Sequence, residues 1–211
     1  MNHYNLEDDF RPFKNIKALD IGCGGGLVAE SLVRLGANVT ALDASYNNIE
    51  IANKHKDLAL KSTPDYDRLN YLHCTAEQLA AEATNNDDLF DLVVSFEVIE
   101  HVADVPMFIN SICSLTKPGG CIMLSTINRT LRSYALAIAA AEYILKIVPQ
   151  GTHDWKKFLT PSEIQVFLNK KNVNVDRATG VFYNPLTENF TLVNDLNVNY
   201  MLFAIKDPKT L

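Results

Sequence analysis

Two carboxylates and an imidazole follow one apolar run at a spacing that could bind a metal ion. Glu97, Glu100 and His101 occupy positions i, i+3 and i+4, so they would share one face if the chain were helical there. Oxygen-rich ligation favours Mg²⁺, and the single histidine leaves Mn²⁺ or Zn²⁺ open. The alternative is a solvated helix start, where the helix dipole favours acidic side chains. All three residues are candidate metal ligands, and Glu97 and His101 are also candidate catalytic groups.

A histidine in a turn-rich stretch is a further candidate for proton transfer. His153 is followed directly by Asp154 and Trp155. An imidazole titrates near neutral pH, so His153 could act as a general base. Its ring could instead simply pack against the tryptophan, and the sequence leaves both interpretations open.

A glycine-rich turn between an apolar run and a helical pattern indicates a ligand site. Residues 19–26 read LDIGCGGG, with Gly22, Gly24 and Gly26 in the pattern G-x-G-x-G. Dinucleotide-binding loops have the pattern G-x-G-x-x-G, and Leu27 stands where their third glycine would be. Because glycine has no Cβ, such a turn brings the backbone close to a ligand. We predict that the three glycines bind a cofactor; the alternative is a tight turn with no ligand.

Two acidic residues near this turn favour a positively charged ligand. Asp20 ends the first apolar run, where a pyrophosphate would otherwise lie against the helix N-terminus. Asp43 ends the second run, at about the twenty-residue separation expected of a ribose-binding acid. Two carboxylates suit the ammonium and sulfonium groups of S-adenosylmethionine better than NAD. Thr75 and Ala76 follow the third run, where the adenine end of that donor should lie.

Alternating strands and helices must position these residues. Apolar runs predict strands at 17–21, 38–43, 69–73, 90–95 and 121–127. Helical patterns between them predict helices at 26–35, 45–60, 76–82 and 104–115. This repetition implies parallel strands joined by crossover helices. A later helix from about 161 to 171 and apolar alternation at 173–183 and 198–205 predict a terminal hairpin. The expected fold is α/β, a Rossmann-like class I methyltransferase with a mostly parallel seven-stranded sheet, an antiparallel last strand and helices on both faces.

One stretch falls outside this alternation. Residues 131–148 are mostly apolar with a basic fringe, and residues 149–158 form a polar loop. Both follow the carboxyl end of the fifth strand, the edge where open α/β sheets bind ligands. We therefore predict one domain over residues 1–211 with an inserted helical lid at about 129–158. The lid could lie on an anionic membrane surface or be buried against the sheet, and its charges argue against a membrane span.

Composition excludes several classes of protein. Apolar residues make up 47% and charged residues 21% of the chain, as in an ordinary soluble domain. The formal charge of −6 argues against a nucleic-acid partner, because phosphate binding needs clustered lysine and arginine. No apolar run is long and uncharged enough to predict a transmembrane helix.

Several longer motifs match one enzyme family. They are LDIGCGGG at 19–26, EVIEH at 97–101, STINR at 125–129, AEYIL at 141–145, VPQGTHD at 148–154 and VNYM at 198–201. On these residues the chain resembles the ubiquinone-biosynthesis O-methyltransferases, bacterial and mitochondrial enzymes that methylate polyprenylated catechols. The similarity runs from about residue 17 to the end. The glycine motif is common to many methyltransferases, whereas STINR combined with VPQGTHD is far more specific.

The resemblance implies functional residues and a location. It implies a donor site at Gly22, Asp43 and the backbone of Phe96, and Mg²⁺ at the three candidate metal ligands. It implies a polyprenylated catechol substrate and other ubiquinone-biosynthesis proteins as partners. It also implies attachment to the inner mitochondrial membrane on the matrix side, or to the bacterial plasma membrane. Such enzymes hold the donor with an arginine from an N-terminal helical segment, and Arg11 lies too near the first strand to replace it.

The predicted reaction is transfer of the sulfonium methyl group to a phenolate oxygen. Asp20 and the glycine turn would hold the methionine end of the donor, Asp43 the ribose and Phe96 the adenosine side. A cation chelated by a catechol would favour the phenolate, as metals do for bound water. One alternative is methylation of carbon or nitrogen on another small molecule, which would need no metal. Another is a catalytically silent subunit of a membrane biosynthetic complex.

Overall fold

Eight strands form one mixed sheet. The computed structural model describes residues 11–134, 154–184 and 187–209. The strands are β1 (Lys17–Ile21), β2 (Asn38–Asp43), β3 (Leu69–His73), β4 (Phe90–Phe96), β5 (Thr116–Ile127), β6 (Val173–Asn184), β7 (Asn189–Val193) and β8 (Asn199–Lys206). They lie in the order β3-β2-β1-β4-β5-β8-β6-β7.

Helices connect the strands at the places that the sequence pattern predicts. They are α1 (Leu27–Arg34), α2 (Tyr46–Leu60), α3 (Ala76–Glu82), α4 (Val105–Leu115) and α5 (Pro161–Asn169). Side-chain caps define where several of the helices begin, because the N-cap oxygen accepts from a backbone N–H that has no partner within the helix. Ser45 caps α2 in this way, and Asp104 caps α4. Thr160 and Glu163 form a reciprocal capping box at α5.

The last strands run as predicted, but their number differs from the prediction. Strand β8 is inserted between β5 and β6 and pairs antiparallel with both, which confirms the antiparallel last strand. The predicted count of seven strands is wrong, because β7 adds an eighth at the edge of the sheet, antiparallel to β6. Four of its five residues are exposed. The run NFTLV does alternate polar and apolar residues, but its apolar side chains Phe190 and Leu192 are exposed, and a run of five residues is a weak signal for a strand.

Two layers of helices cover the sheet. Successive residues of a strand point to opposite faces, so Ala18 and Leu19 belong to different apolar clusters. Ala18 packs with residues of α1 and α2, whereas Leu19 packs with residues of α4 and α5. In the described part of the chain no helix is both long and apolar enough to cross a membrane.

Candidate active site

A cavity of about 770 Å³ lies at the carboxyl ends of β1, β2 and β4. This volume is within the range of roughly 300–1,000 Å³ that small-molecule sites occupy. Most of the predicted site residues contribute to its wall: Gly22, Gly24, Asp43, Thr75, Ala76, Glu97 and His101. Asp20, Gly26, Phe96 and Glu100 do not line it. His153 lies outside the described residues.

The three glycines of the turn have different roles. All have positive φ, and a Cβ on Gly22 would lie 2.3 Å from Cγ2 of Val98. A Cβ on Gly26 would lie 2.0 Å from the hydroxyl of Tyr71, so Gly26 serves close packing in the core. A Cβ on Gly24, by contrast, would meet no atom within 4 Å, and Gly24 borders the cavity. Only Gly22 and Gly24 are therefore placed to contact a ligand.

Asp43 ties the glycine turn to the start of α2. One carboxylate oxygen accepts from the backbone N–H of Gly24 at 2.9 Å. The other accepts from the N–H of Ser45 at 2.8 Å and from Nδ2 of Asn48 at 3.2 Å. A carboxylate can accept about four hydrogen bonds, so these three leave one position for a ribose hydroxyl. Asp43 thus shapes the cavity and still presents an acceptor to it.

Asp20 lies in the protein interior, beneath the glycine turn. Asp20 is 2% exposed, and its Oδ2 has no hydrogen-bond partner among the described residues. Burial raises the pKa of this carboxyl to about 7, the backbone N–H of Ala29 lowers it, and the charge of Asp43 raises it. Because Asp20 does not line the cavity, it can act on a bound cation only through its charge. The unpartnered buried oxygen fits a site that receives positive charge.

The turn after β3 forms another wall of the cavity. Thr75 caps α3: its hydroxyl accepts from the N–H of Gln78, and its own N–H donates to the Gln78 side chain at 2.8 Å. Thr75, Ala76 and the neighbouring Glu77 all line the cavity. The capping box therefore fixes the backbone where the adenine end of a donor was predicted.

The acidic motif after β4 is a turn, so the helix on which Glu97, Glu100 and His101 could share a face does not form there. Glu97 has a φ of 56°, outside the helical region, and the N–H of His101 donates to the carbonyl of Val98 at 2.8 Å. Helix α4 begins only at Val105, where Asp104 caps it. Glu97 and His101 nevertheless both line the cavity, because the turn itself faces it.

Glu97 and Glu100 lie on opposite sides of β5. The hydroxyl of Ser125 donates to Glu97 at 2.7 Å, and the hydroxyl of Thr126 donates to Glu100 at 2.8 Å. Consecutive strand residues point to opposite faces, so the two carboxylates are held apart. Glu100 is 4% exposed, and its burial raises the pKa of the carboxyl.

The predicted magnesium ligands do not converge in this arrangement. Within residues 11–134, 154–184 and 187–209, no group of three His, Cys, Asp or Glu side chains could hold a metal ion. Glu97 and His101 share the cavity, while Glu100 is bonded to Thr126 in the core. The residues as placed therefore do not fit the three-ligand site that the spacing suggested.

The described ends of the predicted lid are fastened to each other. The indole N–H of Trp155 donates to the carbonyl of Thr130 at 3.1 Å, and its ring meets Tyr134 edge-on. The guanidinium of Arg129 donates to the carbonyl of Phe158 at 3.2 Å. The chain thus leaves the sheet after β5 and returns to the same place. Residues 135–153, which make up most of the predicted lid, lie outside the described residues.

Two arginines of the predicted basic fringe are paired with acids. Arg129 forms an ion pair with Glu163 at the start of α5. Arg132 forms an ion pair with Asp195 at 2.5 Å. These pairs neutralise part of the positive charge that was expected to face an anionic membrane. Arg11 is likewise paired, with Asp65 at 2.7 Å, so its guanidinium is held away from the donor cavity.

Some wall residues were not predicted from the sequence. Asn48 comes from α2, and Val102, Met107 and Phe108 come from the chain at the start of α4. Their types carry no chemical signal, since most are apolar. Their positions follow from topology alone, because the segments after β2 and β4 both begin at the ligand-binding edge of the sheet.

Sequence comparison identifies a family. A family model described as a methyltransferase domain matches residues 5–177. The ubiquinone biosynthesis O-methyltransferase of Caulobacter vibrioides is 47% identical over 196 residues, which cover 93% of this chain and 74% of the relative. The mitochondrial ubiquinone biosynthesis O-methyltransferase of Arabidopsis thaliana is 46% identical over 196 residues. That match covers 93% of this chain and 58% of the relative.

Solved structures share the fold. Magnesium protoporphyrin IX methyltransferase from Synechocystis PCC 6803, with bound SAH, superposes with a TM-score of 0.66 at 17% identity. The superposition covers 93% of this chain and 76% of that one. A SAM-dependent methyltransferase from Methanosarcina mazei gives a TM-score of 0.65 at 18% identity, covering 98% of this chain and 99% of that one. At these identities the likeness establishes the Rossmann-like methyltransferase fold.

Proposed function

The chain belongs to the ubiquinone-biosynthesis O-methyltransferases, and from this premise we propose that it methylates a phenolic hydroxyl of a polyprenylated ubiquinone precursor. S-adenosylmethionine is the methyl donor. The observation that carries the proposal is the single cavity that joins the glycine turn and Asp43 to Glu97 and His101. A donor site and polar groups for an acceptor thus lie in one space.

The donor would span the cavity along the carboxyl ends of the strands. Gly22 and Gly24 lie at the methionine end, and the ionised Asp20 beneath them would stabilise the ammonium and sulfonium charges. Asp43 would accept from a ribose hydroxyl, and the backbone of Thr75 and Ala76 would contact the adenine. The charge and the order of these groups along the edge of the sheet support this orientation.

The transfer is a displacement at the methyl carbon. The acceptor oxygen forms a bond to that carbon while the carbon–sulfur bond breaks, and the electron pair of the broken bond stays on sulfur, which becomes a neutral thioether. The phenolic proton must go to a base, and Glu97 is a carboxylate that lines the cavity together with His101. Holding oxygen, methyl and sulfur in line can lower the barrier by roughly 7–11 kcal/mol, so orientation carries much of the acceleration. We propose Glu97 as base, with His101 beside it; His153 is a second candidate for the base.

Magnesium is a separate part of the proposal. Its support is the resemblance of residues 97–101 to the family motif. Because Glu100 is bonded to Thr126 and faces away from the cavity, no step of the transfer is derived through a metal here. Chelation tests it directly: a requirement for Mg²⁺ would lower turnover in EDTA and restore it when the metal is added back.

The cellular location also belongs to the proposal. The relatives include a mitochondrial plant protein and bacterial proteins. We propose the matrix side of the inner mitochondrial membrane, or the bacterial plasma membrane, with contact through residues 129–158 and with other ubiquinone-biosynthesis proteins as partners. The apolar acceptor supports this location, because its polyprenyl tail partitions into lipid. Sedimentation with anionic vesicles, before and after removal of residues 135–153, measures the membrane contact.

The experiment that tests the function is methyl transfer to a short-chain polyprenyl dihydroxybenzoate. Wild-type protein should transfer the methyl group, and Glu97→Gln should lower kcat by about 10²- to 10⁴-fold, the contribution of a general base. The donor Kd should stay within about twofold, since Gln keeps the shape of the side chain but not its basicity. Donor binding without turnover on any phenol would favour a non-catalytic subunit. Turnover only on carbon or nitrogen acceptors would favour another small-molecule methyltransferase.

A further inference from the structure

We propose that Ser125 is the positioning residue for Glu97, and that its hydroxyl sets the direction in which the carboxylate enters the cavity. This inference rests on the proposed function, because it matters only if Glu97 acts on the acceptor. Ser125 does not line the cavity and would act through Glu97 alone.

Two hydrogen bonds join Ser125 to Glu97. The backbone N–H of Glu97 donates to the carbonyl of Ser125 at 3.0 Å. The hydroxyl of Ser125 donates to a carboxylate oxygen of Glu97 at 2.7 Å. The first bond fixes the backbone of Glu97 directly after β4, where Phe96 still pairs with Ser125 in the sheet. The second fixes the carboxylate at the end of the same side chain. Ser125 therefore holds both the backbone and the carboxylate of Glu97.

The backbone of Glu97 makes this tie necessary. Its φ of 56° is in the left-handed region, which costs free energy for any residue with a Cβ. Such a conformation persists only where surrounding contacts hold it, and it is often found where a side chain must point into a site. Here it turns Glu97 out of the strand and towards the cavity. Ser125 is itself buried at the end of β5, so its hydroxyl is a fixed reference point.

Thr126 is a matched control within the same strand. Its hydroxyl makes the same kind of bond, at 2.8 Å, to the other glutamate of the motif. Because Thr126 points to the opposite face, Glu100 is held in the core and away from the cavity. Loss of either hydroxyl should therefore disturb β5 to a similar extent, but only the Ser125 hydroxyl holds a carboxylate that lines the cavity.

The test compares loss of each hydroxyl. Ser125→Ala should lower kcat by about 10- to 100-fold, because a misdirected group loses that much catalysis, and should leave the donor Kd within about twofold. Ser125→Thr, which keeps the hydroxyl, should recover most of the rate, whereas Ser125→Val, which has the shape of the threonine variant without its hydroxyl, should not. Thr126→Ala should lower the melting temperature and should lower kcat less than Ser125→Ala does. The acceptor KM should change less than kcat in every Ser125 variant.

Two outcomes would overturn the proposal, and a third concerns the function itself. Wild-type kcat in both Ser125→Ala and Ser125→Val, with Glu97→Gln inactive, would show that Glu97 needs no such tie. An equal loss of kcat in Thr126→Ala would show that damage to β5, and not the direction of Glu97, lowers the rate. Full activity of Glu97→Gln would instead contradict the proposed base, and the inference would fall with it.

Discussion

The two halves of the sheet each contain a buried ionisable side chain, and the two side chains differ in their hydrogen bonds. The donor half, which we define as β1 to β3 with α1 to α3, contains Asp20, whose Oδ2 has no hydrogen-bond partner among the described residues. The acceptor half, defined as β4 to β8 with the chain between them, contains Lys206, whose ammonium donates to the carbonyls of Cys113 and Thr116 at 2.8 and 2.7 Å. One carboxylate oxygen of Asp20 is thus left without a partner, whereas the Lys206 ammonium makes two hydrogen bonds.

This difference separates a group kept for a ligand from a group kept for the fold. An unpaired buried carboxylate is costly, and proteins normally neutralise or pair it. Asp20 retains that cost beside the donor cavity, where a sulfonium compound would offset it. Lys206 has no such role, because its bonds only join the end of β8 to the end of α4 and the start of β5. The comparison predicts that the donor half responds to pH and ligand, while the acceptor half responds to the loss of internal bonds.

The largest expected effect is the pH dependence of the donor half. The pKa of Asp20 is raised to about 7 in the folded protein from 3.8 in the unfolded chain. Its contribution to stability is therefore present below about pH 4 and is lost as the pH rises through about 7. That loss amounts to as much as about 4 kcal/mol in the free energy of unfolding. Urea unfolding of wild type and Asp20→Asn from pH 4 to pH 8 should show a steeper loss of stability in the wild type; the buried Glu100 contributes equally to both proteins.

Donor binding should have the opposite pH dependence. A sulfonium and ammonium compound favours ionised Asp20, so the donor Kd should decrease as the pH rises through about 7. Calorimetry on Asp20→Asn is the control, because the donor's own amine titrates equally in both proteins. Parallel curves for the two proteins would show that Asp20 does not contribute to the charge of the cavity.

The sequence predicts the donor half better than the acceptor half, because the contacts that form the donor half join residues closer together along the chain. Strands at 17–21, 38–43 and 69–73 have the predicted bounds, as does the helix at 76–82, because each carries its own apolar pattern and turn. Gly22, Gly24 and Asp43 are likewise brought to the cavity by a local turn and one neighbouring strand.

The acceptor half depends on contacts that no local pattern reveals. The bond between Glu97 and Ser125 joins residues 28 positions apart, and the bond between Lys206 and Cys113 spans 93 positions. The spacing of Glu97 and Glu100 suggested a common helical face, whereas strand pairing separates them onto opposite sides of β5. Strand β7 escaped prediction because a run of five residues is too short to give a clear strand pattern.

A smaller effect is expected from Lys206. Lys206→Met retains the apolar part of the side chain but leaves two carbonyls without the ammonium, which should cost about 2–3 kcal/mol in the free energy of unfolding. The control is Lys54→Met on α2, an exposed lysine whose loss should change stability by less than about 0.5 kcal/mol. Donor affinity should be unchanged in both variants. A large loss of donor binding in Lys206→Met would show that the two halves are not independent.

The smallest effect is expected where the lid joins the acceptor half. Trp155→Phe keeps an aromatic ring near Tyr134 but removes the bond to the carbonyl of Thr130, and should cost about 1 kcal/mol in urea unfolding. Arg132→Gln removes the exposed ion pair with Asp195 and should cost less than about 0.5 kcal/mol. If the joined ends of the predicted lid orient the acceptor, Trp155→Phe should raise the acceptor KM while the donor Kd stays constant. An unchanged, wild-type acceptor KM in Trp155→Phe would mean that the bond between Trp155 and Thr130 stabilises the acceptor half without guiding the substrate.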